Sequence, residues 1–227
     1  MIYGIGDLHL DYSREKPMDI FGENWVGHEE KIFENWEEKI TDEDLVLIPG
    51  DISWALKLDQ AYNDLKKVNE LPGKKVITKG NHDYWWESKK KMNSLELDTI
   101  FFLQNDSYSY KNIDIVGSRG WKPKDSEDFT EHDEKMYNRE LNRLNLSLNS
   151  IRGRPDKIIA MLHYPPFNLD SSPNEFVYLM KEYNVDICIY GHLHSEGHRY
   201  VVEDVIEGIQ FLCVSSDYID FNPLKIY

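Results

Sequence analysis

Five short apolar runs each end in residues able to bind metal ions. Ile2 to Gly6 leads into Asp7-Leu8-His9, Leu45 to Ile48 into Pro49-Gly50-Asp51, and Val76 to Thr78 into Gly80-Asn81-His82-Asp83. Ile158 to Leu162 leads into His163, and Val185 to Tyr190 into Gly191-His192-Leu193-His194. A lone histidine is usually structural or solvated, and a lone Asp after a strand is often only a helix cap. Five of the eight histidines at such ends, beside Gly, Asp and Asn, make coincidence a poor explanation. Carboxylate and amide oxygens mixed with imidazole favour Mn, Fe, Co, Ni or Zn over Ca or Mg. A divalent ion held by such residues would polarise a bound oxygen and acidify a coordinated water into a nucleophile.

Elements must bring these residues to one place. The five runs read as strands, as do Ile100 to Leu103, Ile113 to Val116 and Phe211 to Val214. Open α/β sheets place ligand sites at the carboxyl ends of their strands. Glycine precedes four of the five clusters, which allows sharp turns and close backbone approach. The alternation in Asp7-x-His9 and His192-x-His194 predicts that each pair points to one side of an extended segment. Helical spacing is carried by Ile32, Phe33, Trp36 and Ile40, and by Tyr137, Leu141, Leu144, Leu148 and Ile151. Ser172 as N-cap, Pro173 and Glu175 predict a helix start, with the helix ending near Asn184. Asn105-Asp106 and Lys111-Asn112 predict turns of an antiparallel section. The class is α/β with mixed sheets. No linker, low-complexity tract or repeat divides the 227 residues, and the chemical residues span Asp7 to His194, so one domain over 1–227 is expected.

Composition narrows the partners. A hydrophobic fraction of 41% supports a substantial core, so disorder is excluded. The formal charge of −15 argues against long nucleic acid and anionic membranes, since such a surface repels phosphate backbones. A small phosphate ester remains open, because a metal site brings its own positive charge. Cys188 and Cys213 lie in apolar runs and read as reduced thiols, which with no signal peptide and no run of about 18 apolar residues predicts a soluble, cytoplasmic protein.

In order and spacing, Asp7-x-His9, Gly50-Asp51, Gly80-Asn81-His82-Asp83, His163 and Gly191-His192-x-His194 resemble the calcineurin-like metallophosphoesterase family. The chain looks most like its small bacterial members described as predicted phosphohydrolases. The resemblance implies a four-layer αββα sandwich, two mixed β-sheets flanked by helices. It implies one ion on Asp7, His9 and His194, another on Asn81, His163 and His192, and Asp51 bridging. Asn81 would also face substrate. His82 has no metal assigned and becomes the candidate general acid for the leaving oxygen, with Asp83 orienting its ring and raising its pKa. A structural role outside the metal ligands is the alternative. Where many relatives carry a charged or polar residue three positions after the bridging Asp, this chain has Trp54, so a contact supporting the catalytic histidine is missing or supplied elsewhere. The lack of tyrosine there argues against a tyrosinate-iron centre.

Other residues admit two roles. Trp54, Tyr84, Trp85, Trp86 and Trp121 could wall a pocket for an aromatic or nucleoside group, although core packing is the commoner fate of such residues. Arg119 could clamp a substrate phosphate or form a surface ion pair. His28, His132 and His198 receive no role, and Lys122 to Lys135 reads as a solvated loop and helix start. The functional expectation is a dinuclear phosphohydrolase acting on mono- or diesters, set against a scaffold protein of the same fold without turnover. A scaffold predicts eroded ligands or loss of His82, and neither occurs. A metallo-β-lactamase-like site would want Asp-His soon after His-x-His, where this chain has Ser195-Glu196.

Overall fold

A computed structural model of the chain describes residues 1–227 and divides the strands between two β-sheets. The first half supplies β1 (Ile2–Gly4), α1 (His28–Lys39), β2 (Leu45–Ile48), α2 (Leu58–Glu70), β3 (Lys74–Ile77), α3 (Lys89–Asn93) and β4 (Ile100–Phe102). The second supplies β5 (Tyr108–Tyr110), β6 (Ile113–Ser118), α4 (Glu131–Asn149), β7 (Lys157–Leu162), α5 (Glu175–Glu182), β8 (Ile187–Tyr190), β9 (Val205–Ile206) and β10 (Ile209–Cys213). A last strand, β11 (Leu224–Lys225), returns to the first sheet. The sheets run β11-β1-β2-β3-β4 and β5-β6-β7-β8-β10-β9. Both are mixed: β11, β5 and β9 pair antiparallel at the edges and the inner neighbours pair parallel. Parallel pairing requires crossovers, which accounts for the alternation of strands with helices.

The strand β2 shows why there are four layers. All four of its residues are buried. Val46 and Ile48 join an outer cluster with Ile32 and Trp36 of α1 and Leu65 of α2. Leu45 and Leu47 face the other way, into a cluster shared with Ile115, Ile159 and Ile189 of the second sheet. A strand covered on both faces reads as a continuous apolar run, as this one does. On the far side, Tyr137 and Leu144 of α4 and Phe176 and Met180 of α5 pack against Ala160 and Cys188. The layers are therefore helix, sheet, sheet, helix. No helix is long and apolar enough to cross a membrane.

Two local expectations need correction. The helix start predicted at Ser172 lies at Asn174, whose Oδ1 accepts from Phe176 N at 3.0 Å. Ser172 is otherwise engaged: its carbonyl accepts from Asn168 N, and Pro173 bridges to Phe167. The turn at Asn105-Asp106 closes no hairpin, because β4 and β5 belong to different sheets. The turn at Lys111-Asn112 does join an antiparallel pair, β5 and β6.

Candidate metal centre

The segments leaving β1, β2, β3, β7 and β8 converge. Asp7 N donates to Gly50 O, His9 N to Asp51 O, and His192 N to the Asp7 carboxylate at 3.0 Å. The predicted extended geometry of Asp7-x-His9 and His192-x-His194 is not found. Asp7, His9, Asp51 and His192 all have positive φ, between 45° and 73°. Left-handed backbone is unfavourable for residues with a Cβ and persists where the surroundings enforce it, often at functional sites. The loops also approach one another closely: a Cβ on Gly80 would collide with Asp51 Oδ1, and one on Gly191 with Asp7 Oδ2.

These turns bring all seven predicted ligands together. Ligand atoms of Asp7, His9 and His194 lie within 4.8 Å of one another, and so do those of Asp7, Asp51 and His163. Asp51 Oδ2 sits between the groups, 3.8 Å from His9 Nε2 and 3.5 Å from His163 Nε2. Asn81 Oδ1 is 2.6 Å from His163 Nε2 and 2.8 Å from His192 Nδ1. His192 and His194 therefore serve different clusters, although one residue separates them.

The donor set fits a cation. The Pro49 carbonyl, 3.0 Å from His163 Nδ1, can only accept, so it fixes the proton on that nitrogen and leaves Nε2 bare. That bare nitrogen faces the Asn81 amide oxygen, another acceptor, and His192 Nδ1 at 3.2 Å. Burial pushes the His163 pKa down to about 4, and burial with the neighbouring His163 pushes His192 down to about 3, so both rings are neutral and ready to donate lone pairs. His9 Nδ1 and His194 Nε2 are buried without hydrogen-bond partners. Burial, with Asp83 and Asp7 nearby, pushes Asp51 well above the usual carboxylate range. Clustered acceptors in a buried place call for positive charge.

Asp217 was not singled out by sequence. It is buried and accepts from His194 Nδ1 at 2.7 Å and from Ser195 N at 3.0 Å. Holding the Nδ1 proton leaves Nε2 directed at Asp7 Oδ1, 3.5 Å away. Burial alone would lower the His194 pKa, but Asp7 and Asp217 outweigh it and push it up to about 10. The available signal was position: Asp217 follows the strand ending at Cys213, as Asp7 and Asp51 follow theirs.

The expected partnership of Asp83 with His82 is corrected. The Asp83 carboxylate accepts from the backbone N–H groups of Asp51, Ile52 and Gly80 at 2.8–3.0 Å and from Trp85 Nε1 at 3.0 Å. It ties the loop after β2 to the loop after β3 and does not hold the His82 ring. Half-burial accordingly lowers the His82 pKa below the ordinary 6.5. The backbone N–H of His82 donates to Asp51 Oδ1 at 2.8 Å, and its ring lies 4.4 Å from Trp54 and 5.7 Å from His9, centre to centre. Trp54 stacks on His9 at 4.9 Å and so belongs to the site. Trp85 and Trp86 pack in the first core. Arg119 spends its guanidinium on Glu140 at 3.2 Å and on the Trp121 ring, while its carbonyl receives His163 N and Tyr164 N. Its side chain is committed to α4, and its backbone supports the His163 segment.

A family model described as calcineurin-like phosphoesterase matches residues 1–196. No match was found among curated proteins. Among solved structures, a protein of unknown function from Aquifex aeolicus is 20% identical with a TM-score of 0.50, covering 99% of this chain and 94% of its own. The protein TT1561 of Thermus thermophilus is 10% identical with a TM-score of 0.60, covering 94% of this chain and 88% of its own. At such identities the likeness is one of fold.

Proposed function

The chain belongs to the calcineurin-like phosphoesterase family, and on that premise we propose that it hydrolyses small phosphate esters with two divalent transition-metal ions, drawn from Mn, Fe, Zn, Co or Ni. The observation that carries this proposal is the convergence of metal-competent atoms: Asn81 Oδ1, His163 Nε2 and His192 Nδ1 on one side, Asp7, His9 and His194 on the other, and Asp51 Oδ2 between them. The first three would hold one ion, the second three the other, and Asp51 both. When bound, such a pair supplies positive charge for phosphoryl oxygens and acidifies a water toward neutrality. His82, half-buried at the edge with no side-chain hydrogen bond, is free to give a proton to the leaving oxygen.

Purified protein is expected to hydrolyse p-nitrophenyl phosphate or its bis ester, to lose that activity on chelation and to regain it with Mn or a similar ion. No turnover of either ester with any of the five metals would leave the scaffold alternative standing. A second expectation concerns Asp217. Carboxylates that orient a metal-binding histidine typically contribute about 10–100-fold in metal affinity. Asp217→Ala should therefore weaken one ion by about that factor and leave the other at its original affinity, as read by competitive metal titration; both affinities unchanged from the unmutated protein would remove the orienting role.

A further inference from the structure

Beside the candidate metal centre lies a cleft of about 140 Å³ with His192 in its wall, together with Tyr164, Phe167, Leu169, Leu193 and Tyr200. The Tyr164 ring lies over His192, with centroids 4.1 Å apart, so the apolar lining begins where the ligand cluster ends. Leu169 and Tyr200 leave 47% and 43% of their surface uncovered at its mouth.

The lining specifies the occupant. Lys122 is the one cation in the wall, and its ammonium is held by Asp128 at 2.9 Å and Asp133 at 3.2 Å. The Asn168 amide donates to Ser172 Oγ at 3.0 Å. With charge and amide engaged, the cleft offers mainly apolar and aromatic faces, which suit a ring better than a second phosphate. An apolar cavity of roughly 150 Å³ accommodates benzene, so this one takes a single six-membered aromatic ring. Aromatic rings also favour offset or edge-to-face contact with tyrosine.

Position then decides which part of the substrate the ring belongs to. His82 stands among His9, Trp54 and Tyr84, none of which lines the cleft. A leaving oxygen protonated by His82 is on that side, and a ring beside His192 belongs to another substituent on the same phosphorus. A monoester has no second substituent. We infer that the substrate is a phosphodiester, one of whose ester groups carries a single uncharged aromatic ring that the cleft holds and the product retains. This rests on the phosphohydrolase proposed above. In the reaction a water oxygen bonds to phosphorus, the bond from phosphorus to the other ester oxygen breaks, and that oxygen takes a proton, giving an alcohol and an aryl-bearing phosphate monoester.

The test compares benzyl p-nitrophenyl phosphate with methyl p-nitrophenyl phosphate, which release the same nitrophenolate and differ in the retained group. The benzyl diester is expected to have at least about tenfold higher kcat/KM, chiefly through KM, since a ring held equally in ground and transition states acts on binding. In a Leu169→Ser/Tyr200→Ser double variant that ratio should fall toward one. Because both residues lie at the mouth, a melting curve checks that the fold is kept. Benzyl(methyl)phosphinate and dimethylphosphinate, which have no ester bond, are titrated calorimetrically alongside, and the benzyl compound should bind about tenfold more tightly to the unmutated protein only. Equal kcat/KM and equal binding for the two groups would overturn the cleft while leaving the hydrolase intact. Tighter benzyl binding without turnover of any ester would instead sink the hydrolase and keep the cleft. Faster turnover of p-nitrophenyl phosphate than of the benzyl diester would overturn the diester assignment.

Discussion

Asp51→Asn is expected to weaken both metal ions together and to lower kcat/KM by about 10²–10⁴, because the charge of such ions is worth several kcal/mol at a phosphoryl centre and each 1.4 kcal/mol is a factor of ten. The geometry sets the expectation. Asp51 Oδ2 stands between His9 Nε2 and His163 Nε2, and Oδ1 accepts from His82 N. An amide keeps the bond to His82 through its oxygen and turns an NH₂ toward the ions. Stability should respond in the opposite sense when no metal is present. Burial, with Asp83 and Asp7 close by, raises the Asp51 pKa on folding. A carboxylate whose pKa is raised in the folded state destabilises that state at any pH above its unfolded value near 3.8, so at pH 7 the neutral amide removes a penalty. Melting temperature should therefore rise in chelator for Asp51→Asn, while the increase that metal gives the unmutated protein should shrink. Two ions bound with unchanged affinity would remove Asp51 from the bridging position.

His82→Ala is the second large effect, and its size should depend on the leaving group. General-acid help is typically worth about 10²–10⁴ in rate. An alkyl phosphate ester, whose alkoxide leaves poorly, should lose about that much, and a nitrophenyl ester far less. Metal content should stay unchanged, since the His82 ring is outside the ligand clusters. The pH dependence follows from the structure as well. Half-burial lowers the His82 pKa below 6.5, so the imidazolium able to donate is present below that pKa and is lost as pH rises through it. Turnover of the alkyl ester should fall along that limb in the unmutated protein, and the limb should vanish in the variant. Equal losses on both esters would point to positioning, and loss of an ion would make His82 a ligand.

The convergence of the candidate residues was legible in sequence because each combines two independent signals, an apolar run that must be a strand and a metal-competent residue where it ends. The layers were legible for the same reason: Leu45 to Ile48 is apolar throughout, as a strand covered on both faces must be. What sequence left obscure was direction. Asp83 and His82 are neighbours in the chain, yet the carboxylate turns to backbone N–H groups and the ring turns outward, a choice made by loops from two different strands. Positive φ at Asp7 and Asp51 is equally invisible, since nothing in those residue types requires it. Asp217 escaped notice because its partner, His194, is 23 residues away and no motif joins them. The helix α2 was missed although Ala61, Leu65 and Val68 form a buried stripe at helical spacing.

The anchoring of Asp83 has a consequence for how the site is supplied. Its carboxylate clasps the loops after β2 and β3 through four main-chain and indole hydrogens at 2.8–3.0 Å. The frame that presents Asp51 and Asn81 is thus assembled by the polypeptide, with no ion needed as a keystone. Any ions held there could then leave and be replaced without the loops coming apart. Affinities of nitrogen and oxygen sites follow a common order among first-row divalent metals, and availability selects between them. For a frame of this kind, the occupant would be a matter of what the surroundings deliver.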